Sequence, residues 1–172
     1  YFGYSNISAI SFTGQHYNKP STGVSTDYED KIGYIVIANG TYDNLEGDRA
    51  TINRYGPNLD ESLCKVALSE QPNDKRVFGV ISRCEKPEDP FREGGYSSFK
   101  SACIIPENDH RLIINSIGEG AVMVCNINGN LENGDYITTS HIEGLGMKQD
   151  DDLLHNYTVA KITQDCNFAS GT

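Results

Sequence analysis

The stretch Ile32-Gly33-Tyr34-Ile35-Val36-Ile37-Ala38 is rich in β-branched and aromatic residues, and it is followed directly by Asn39-Gly40. Side chains of these types fit the pleated, half-buried surface of a sheet. Asn-Gly is the strongest short-range signal for a hairpin turn. We therefore predict a buried β-strand over residues 32–38 that ends in a turn at Asn39-Gly40.

Runs of the same kind recur along the whole chain. We predict further strands at residues 62–69, 76–82, 110–117, 121–126, 136–139 and 156–163. The run at 62–69 fits helix or strand, and strand is favoured because polar and turn residues bound it too closely for a stable helix. Short strands separated by Gly and Asn indicate an all-β fold, here a single sandwich or barrel-like domain with long loops.

Two long stretches lack the strand pattern. Residues 13–30 are predicted to be extended or looped, because Pro20 and Gly23 exclude a regular helix there. Residues 87–96, with two prolines and two glycines, are predicted to be a surface excursion. All-β chains with long inserts and unpaired strand edges often cover those edges in symmetric oligomers, so we expect an oligomer.

Composition limits the classes of function. The 172 residues include 37% hydrophobic residues, which is enough for one domain with its own core. The formal net charge of −10 argues against binding to nucleic acids or anionic lipids, which both need clustered cations. No apolar run approaches the roughly 20 residues of a membrane-spanning helix. The chain starts at Tyr1 without a signal-peptide pattern, so we expect a piece of a longer protein.

The five cysteines are widely spaced, and no pair shows the C-x-x-C spacing of zinc or redox sites. Several lie beside strand-like residues, where a cysteine acts as a small hydrophobe. We therefore expect mostly reduced thiols, in a protein that folds in a reducing compartment. The cysteines are Cys64, Cys84, Cys103, Cys125 and Cys166.

Three local motifs could carry chemistry, and each has a simpler interpretation. The run Gln149-Asp150-Asp151-Asp152 offers carboxylates to a hard cation but lacks the alternating spacing of a calcium loop, so a solvated turn is predicted. Ser140 and His141 are adjacent, which on a strand directs them to opposite faces. The pairs Gly118/Gly120 and Gly144/Gly146 predict turns with positive φ, because no helix follows to bind a phosphate.

The remaining histidines and the tyrosines do not single out a site. The four histidines are scattered, and nothing selects one of them as the partner of a cysteine; they are His16, His110, His141 and His155. We therefore assign no catalytic, cofactor-binding or metal-binding residue and expect no cofactor. The tyrosines could form an exposed glycan-binding surface, or they could pack in the core and between subunits. We favour packing. The tyrosines are Tyr1, Tyr4, Tyr17, Tyr28, Tyr34, Tyr42, Tyr55, Tyr96, Tyr136 and Tyr157.

Several segments resemble the C-terminal domains of viral and phage fibre or appendage proteins. In the second half of the chain these are residues 115–120, 130–140, 144–149 and 156–161, and residues 9–16 are similar to segments of large-virus and marine-phage structural proteins. The closest family is the phage neck-appendage domain called peptidase G2. Val77-Phe78-Gly79-Val80-Ile81-Ser82 is similar to its V-x-G-V-I-S strand, and Asp30-Lys31-Ile32-Gly33-Tyr34-Ile35-Val36 to its D-x-V-G-x-x-V segment. The resemblance covers roughly residues 9–168.

The resemblance implies a domain plan and a set of partners. Residues 1–30 would be an extended segment that leads from an upstream fibre stalk, residues 31–168 a β-rich head, and residues 169–172 a tail. The head would form a homotrimer at the virion surface after assembly in the host cytoplasm, with a host glycan or receptor as a further partner. Nucleic acid and membrane insertion are not expected.

The same resemblance leaves two alternative functions. Peptidase G2 domains are self-cleaving intramolecular chaperones, and the self-cleaving relatives carry an acidic pair near the start of the domain. This chain has no carboxylate before Asp27. Acid–base cleavage needs such a group within hydrogen-bond reach, so we do not favour an enzyme, and autoproteolysis is the one activity left open. A carbohydrate-binding module that uses loop tyrosines is the other alternative.

Overall fold

The structure is a computed structural model that describes residues 14–44, 62–85 and 111–168. These residues form a 3₁₀ helix (Ser25–Lys31) and the strands β1 (Gln15–Pro20), β2 (Ile35–Asn44), β3 (Ser62–Leu68), β4 (Val77–Cys84), β5 (Leu112–Asn115), β6 (Tyr136–Thr139), β7 (Gly146–Lys148) and β8 (Thr158–Lys161). The predicted all-β class is confirmed. No helix in the described ranges has the length and apolar character needed to span a bilayer.

Five strands close into a barrel in the order β1-β3-β2-β4-β5. The strand β1 completes it, because it pairs in parallel with β3 and antiparallel with β5. In the register of these ladders, Pro20 lies opposite Val66 and His16 lies opposite Ile114. Since β1 is hydrogen-bonded on both sides, the barrel has no open strand edge. The expectation of unpaired edges is therefore wrong for this part of the chain.

The core of the barrel consists of aliphatic side chains that point inward from alternate strand positions. In β4, Ile81 is 1% exposed while its neighbours Val80 and Ser82 are partly exposed, as expected for the period of two in a strand. Removal of this apolar surface from water is the main favourable term in folding. The buried cluster contains Val36, Cys64, Val66, Leu68, Ile81, Cys84, Leu112 and Ile114.

The described cysteines support the prediction of buried thiols. Cys64 and Cys84 belong to the barrel core, and Cys125 is buried near the small sheet. Cys166 is partly exposed, and none of these four is in a disulfide. Burial raises the pKa of the Cys64 thiol, which keeps it protonated and unreactive at neutral pH. Cys103 lies outside the described residues.

The second half of the chain forms a small antiparallel sheet in the order β7-β6-β8. The outer side of β7 is covered, because the amide of Cys125 donates to the Gly146 carbonyl at 2.8 Å and the Gly146 amide donates to the Met123 carbonyl at 2.9 Å. Among the described strands, β8 pairs with β6 alone. Within the described part of the chain, β8 is therefore the open edge of this sheet.

Backbone hydrogen bonds and the hydroxyl of Thr139 join the small sheet to the barrel. The Ile35 amide donates to the Gly144 carbonyl at 2.7 Å, and the Gly144 amide donates to the Ser69 carbonyl at 2.8 Å. The Thr139 hydroxyl donates to the Gln71 carbonyl at 2.7 Å and accepts the Asp74 amide at 2.8 Å. The turn between β3 and β4 thus lies against β6.

Gly144 occupies the tightest point of this junction. Its φ of +70° is a conformation that residues with a side chain rarely adopt. A Cβ at this position would lie 2.9 Å from both Cβ and Cγ of Tyr34, which is closer than van der Waals contact allows. The requirement for glycine here is therefore both conformational and steric.

A buried ion pair joins the ends of β4 and β5. The Glu85 carboxylate accepts hydrogen bonds from Nε of Arg111 at 2.8 Å and from Nη2 at 2.5 Å. The Tyr17 ring lies 4.2 Å from the guanidinium carbon, and the Glu85 amide donates to the Arg111 carbonyl at 2.8 Å. Side chains of the pair are only 3% and 7% exposed, so each charge depends on the other for solvation.

The predicted turn at Asn39-Gly40 is wrong. The strand β2 continues through these residues to Asn44, and its register with β3 shifts between Ala38 and Tyr42. Gly40 has a φ of +84° and sits inside this irregularity. The positive φ that the sequence signals is therefore used in a β-bulge rather than in a hairpin turn.

The predicted strand at residues 121–126 is also wrong, since it contains only one isolated bridge, from Val124 to Gly146. The reason is that its backbone bonds go to two different partners. The Met123 amide donates to Gly33 of the barrel at 2.8 Å, while Cys125 donates to Gly146 of the small sheet. The segment connects two sheets instead of extending one of them.

The boundary expected between residues 30 and 31 needs correction as well. The strand β1 belongs to the barrel, and the 3₁₀ helix crosses the boundary, so the folded unit includes residues that were expected to precede it. The pairing of β1 with β5 joins residues about 100 positions apart, which no local pattern reveals. Residues 1–13, 87–96 and 169–172 lie outside the described residues.

The junction at Gly144 can be tested against a glycine of similar φ. Gly129 has a φ of +88° with open space around it. We expect Gly129→Ala to lower the free energy of unfolding by about 1 kcal/mol through backbone strain alone. We expect Gly144→Ala to cost about 1–3 kcal/mol more, because the methyl group also displaces Tyr34. Urea unfolding measures both values, and equal losses would contradict the steric role of Gly144.

Candidate functional site

A shallow cleft lies where the 3₁₀ helix faces the turn before β7. Its volume is about 230 Å³, below the roughly 300–1,000 Å³ of typical small-molecule pockets. It brings together two carboxylates, one ammonium group and one phenol. The lining residues are Thr22, Gly23, Asp27, Tyr28, Lys31, Leu68 and Glu143.

Two of the charged groups of the cleft have local partners. The Asp27 carboxylate accepts the Val24 amide at 3.0 Å and so fixes the start of the 3₁₀ helix. The Lys31 ammonium lies 3.5 Å from the Asp30 carboxylate and 5.2 Å from the centre of the Tyr34 ring. These contacts do not include a nucleophile held by a general base.

The acidic run after β7 belongs to no candidate metal site in the part of the chain that the structure describes. Within residues 14–44, 62–85 and 111–168, no group of three or more His, Cys, Asp or Glu side chains could hold a metal ion. Asp150, Asp151 and Asp152 are all exposed, as the prediction of a solvated turn requires. Gln149, the first residue of the run, is instead 4% exposed.

Gln149 organises the loop of residues 150–155, which we call the 150–155 loop. Its Nε2 donates to the Asp151 carbonyl at 3.0 Å and to the Leu153 carbonyl at 2.7 Å. Its Oε1 accepts the Thr158 hydroxyl at 2.7 Å, which ties the loop to the start of β8. One buried amide side chain thus holds the backbone of an exposed loop in a single shape.

Within this loop, His155 and Asp151 form a surface pair. The Nε2 atom of His155 lies 3.0 Å from both carboxylate oxygens of Asp151, and its ring stacks on Tyr157 at 4.6 Å. The hydrogen bond from His155, followed by that from the Leu153 amide, lowers the pKa of Asp151. In the described residues, no hydroxyl or thiol is hydrogen-bonded to the His155 ring, so the pair lacks a nucleophile to activate.

The tip of the 150–155 loop is apolar. Leu153 is 64% exposed and Leu154 is 75% exposed. The two adjacent leucines at the tip of an ordered loop form a candidate contact surface. Sequence reasoning missed this feature, because it depends on the buried contacts of Gln149.

The side chains of Ser140 and His141 lie in different environments, and the sequence likewise predicts that they point in different directions. Ser140 is fully buried, and its hydroxyl donates to the Leu145 carbonyl at 2.8 Å and accepts the Ile142 amide at 3.1 Å. His141 is exposed. Ser140 therefore stabilises a turn and is not available as a nucleophile.

The glycine predictions are confirmed in part. Gly118 has a φ of +111° and Gly144 one of +70°, as turns require. Gly146 instead lies in β7, where a Cβ would approach Cγ2 of Ile137 to 2.6 Å, so its role is close packing of two strands.

The described tyrosines mostly pack against the protein itself. Tyr28 and Tyr34 lie against the barrel core, and Tyr136 faces the Lys161 ammonium at 5.6 Å from its ring centre. Together with Tyr17 and Tyr157, which contact Arg111 and His155, these side chains support packing over an exposed stacking surface. Tyr1, Tyr4, Tyr55, Tyr96 and His110 lie outside the described residues.

A further charged pair lies beside the junction of the two sheets. Asp74 is buried, and its carboxylate accepts hydrogen bonds from Nε of Arg76 at 2.9 Å and from Nη2 at 2.6 Å. The Arg76 side chain is half exposed. Its hydrogen bonds and charge lower the pKa of Asp74 below its ordinary value.

Comparisons of the chain with protein-family models, with curated proteins and with solved structures find no match. The resemblance to appendage domains therefore stays an expectation, and the function must be argued from the described surface.

The Asp74–Arg76 pair predicts a pH dependence. Because the pKa of Asp74 is lower in the folded chain than in the unfolded chain, its stabilisation is complete above the ordinary Asp pKa and is lost as the pH falls through the folded value. At neutral pH we expect Asp74→Asn to lower the free energy of unfolding by about 1 kcal/mol. On acidification the wild-type chain should lose more stability than this variant.

Urea unfolding at about pH 7 and about pH 3 makes the comparison. Asp30→Asn serves as the control, since the Asp30 side chain is 76% exposed and its ion pair with Lys31 is long. Identical pH profiles for the wild-type chain and Asp74→Asn would contradict the assigned role of the pair.

Proposed function

We propose that this chain is a structural head domain of a viral or phage fibre or appendage protein, and that it works as a homotrimer at the virion surface. In this view three copies assemble in the host cytoplasm, hold an upstream stalk in register, and present their outer surface to the host. The motif resemblance suggests the setting. The described surface supplies the physical argument.

The observation that carries the proposal is the asymmetry between the two sheets. The barrel has no open strand edge, whereas the small sheet ends in the unpaired margin of β8. The exposed large aliphatic side chains also concentrate in the part of the chain that builds the small sheet. They include Met123, Ile127, Ile142, Leu153 and Leu154. An open strand edge in the same part of the chain as exposed apolar groups favours association with another chain.

The charge of the chain is compatible with such an assembly. Each copy carries a formal net charge of −10. Exposed charges farther apart than the Debye length, ~8 Å at physiological salt, are largely screened. The same charge keeps neighbouring assemblies apart in a crowded particle.

The described residues favour this structural role over self-cleavage. Asp27 is the first carboxylate of the chain, and it is hydrogen-bonded to the Val24 amide at the start of the 3₁₀ helix. A general acid or base for peptide cleavage must instead reach the scissile bond.

The cleft beside the 3₁₀ helix supports carbohydrate binding as a second candidate function. Two carboxylates and one ammonium group around a shallow depression can form hydrogen bonds with the hydroxyl groups of a sugar. The volume suits one monosaccharide unit and implies weak binding, which a trimer would strengthen by presenting three sites.

The oligomeric state tests the main proposal. At micromolar concentration we expect a molar mass in solution of three times the 18.9 kDa of one chain. Light scattering after size-exclusion chromatography and sedimentation velocity both measure this mass. A stable monomer at that concentration would count heavily against the structural role.

A glycan-binding screen tests the second function. If the cleft binds a glycan, Glu143→Gln should weaken binding about tenfold, because a neutral amide oxygen replaces a charged hydrogen-bond acceptor. Glu119→Gln is the matched control, since Glu119 is an exposed glutamate that does not line the cleft. Absence of binding by the wild-type oligomer, or equal loss in both variants, would exclude the cleft as the site.

A further inference from the structure

We infer that the 150–155 loop of one copy docks against the β8 edge of a second copy of this chain, and that this contact holds the trimer together. The inference rests on the proposed function and adds to it the interface. Its parts are the two loop leucines, the exposed Asp152, and the edge formed by Val159, Ala160 and Lys161.

The loop has the rigidity that a docking element needs. Besides the contacts of Gln149, the Leu153 amide donates to the Asp151 carboxylate at 3.0 Å, and the His155 amide donates to the Thr158 hydroxyl at 2.9 Å. A loop that is already ordered loses little conformational entropy on binding. Binding through Leu153 and Leu154 therefore costs little conformational entropy of the loop.

The chemistry around the leucines identifies the class of partner. Asp150, Asp151 and Asp152 place several negative charges beside the apolar tip. These charges disfavour nucleic acid and anionic lipid, and they favour a protein surface that offers both apolar groups and a cation.

The β8 edge offers such a surface. Val159 and Ala160 are half-buried, and Lys161 is exposed at the end of the strand. Covering the two loop leucines with these groups removes apolar area from water. The ammonium group of Lys161 can then face the carboxylate of Asp152 across the contact.

The two surfaces adjoin each other on one chain, since the loop ends three residues before β8 begins. They differ in chemistry, so the contact is heterologous, with one surface of each copy against the other surface of the next. Heterologous contacts of this kind form a closed ring, such as a trimer, when the rotation from one copy to the next closes.

The first test removes the apolar tip in the full chain. We expect Leu153→Ser/Leu154→Ser to raise the dissociation constant of the trimer at least tenfold, as measured by sedimentation equilibrium. Ile117→Ser is the matched control, because Ile117 is 71% exposed on a loop at the end of β5. Thermal unfolding of both variants shows that the fold is intact.

The second test exchanges charges across the contact. We expect Lys161→Glu and Asp152→Lys each to weaken the trimer severalfold, and the double variant to recover most of the wild-type affinity. A merely structural role of either residue would not produce this recovery.

The outcomes separate the two proposals. A monomeric wild-type chain removes the proposed function and the interface together. A wild-type trimer whose stability is unchanged by the leucine variant, or changed equally by Ile117→Ser, overturns the interface alone. Binding of the wild-type chain to phosphatidylcholine vesicles that the leucine variant abolishes would identify a lipid surface as the occupant and would also overturn it.

Discussion

The double pairing of β1 is the constraint on which the rest of the structure depends. By bonding to β3 on one side and to β5 on the other, this strand turns a sheet into a closed barrel and seals the cluster around Val36, Val66 and Leu112. Closure also determines which part of the molecule is left for association. With the barrel margins used internally, the small sheet carries the open margin of the described fold, at β8. The double pairing of β1 therefore accounts both for the closed barrel and for the position of the open margin on which the proposed assembly relies.

The ionisable groups of the described residues mostly serve the fold. Asp27 fixes a helix start, Asp74 holds Arg76 beside a turn, and Asp135 is paired with Lys148 at 2.8 Å. A carboxylate that is already hydrogen-bonded in a fixed place is a poor general base for an external substrate. These three carboxylates therefore contribute to the stability of the described fold.

Much of the strand content could be predicted from the sequence, because alternation of apolar residues is a local signal. The strands β3, β4 and β6 lie where the pattern places them. The pattern does not predict that β2 continues through Asn39-Gly40, and it predicts a strand at residues 121–126 that the structure does not contain. Those errors arise because positive φ serves bulges as well as turns, and because backbone partners are chosen by tertiary contacts. The cleft and the 150–155 loop could not be predicted at all. Both depend on side chains, such as Gln149, whose partners follow from the folded geometry.

The pair formed by Glu85 and Arg111 has a consequence for how this chain can change. It fastens the end of β4 to the beginning of β5, so whatever sequence lies at residues 86–110 starts and finishes at one fixed place. The entropic cost of closing a segment between fixed ends rises by only about 0.6 kcal/mol for each doubling of its length. Lengthening the connection between these two ends therefore adds only a small closure entropy to the cost of forming the barrel.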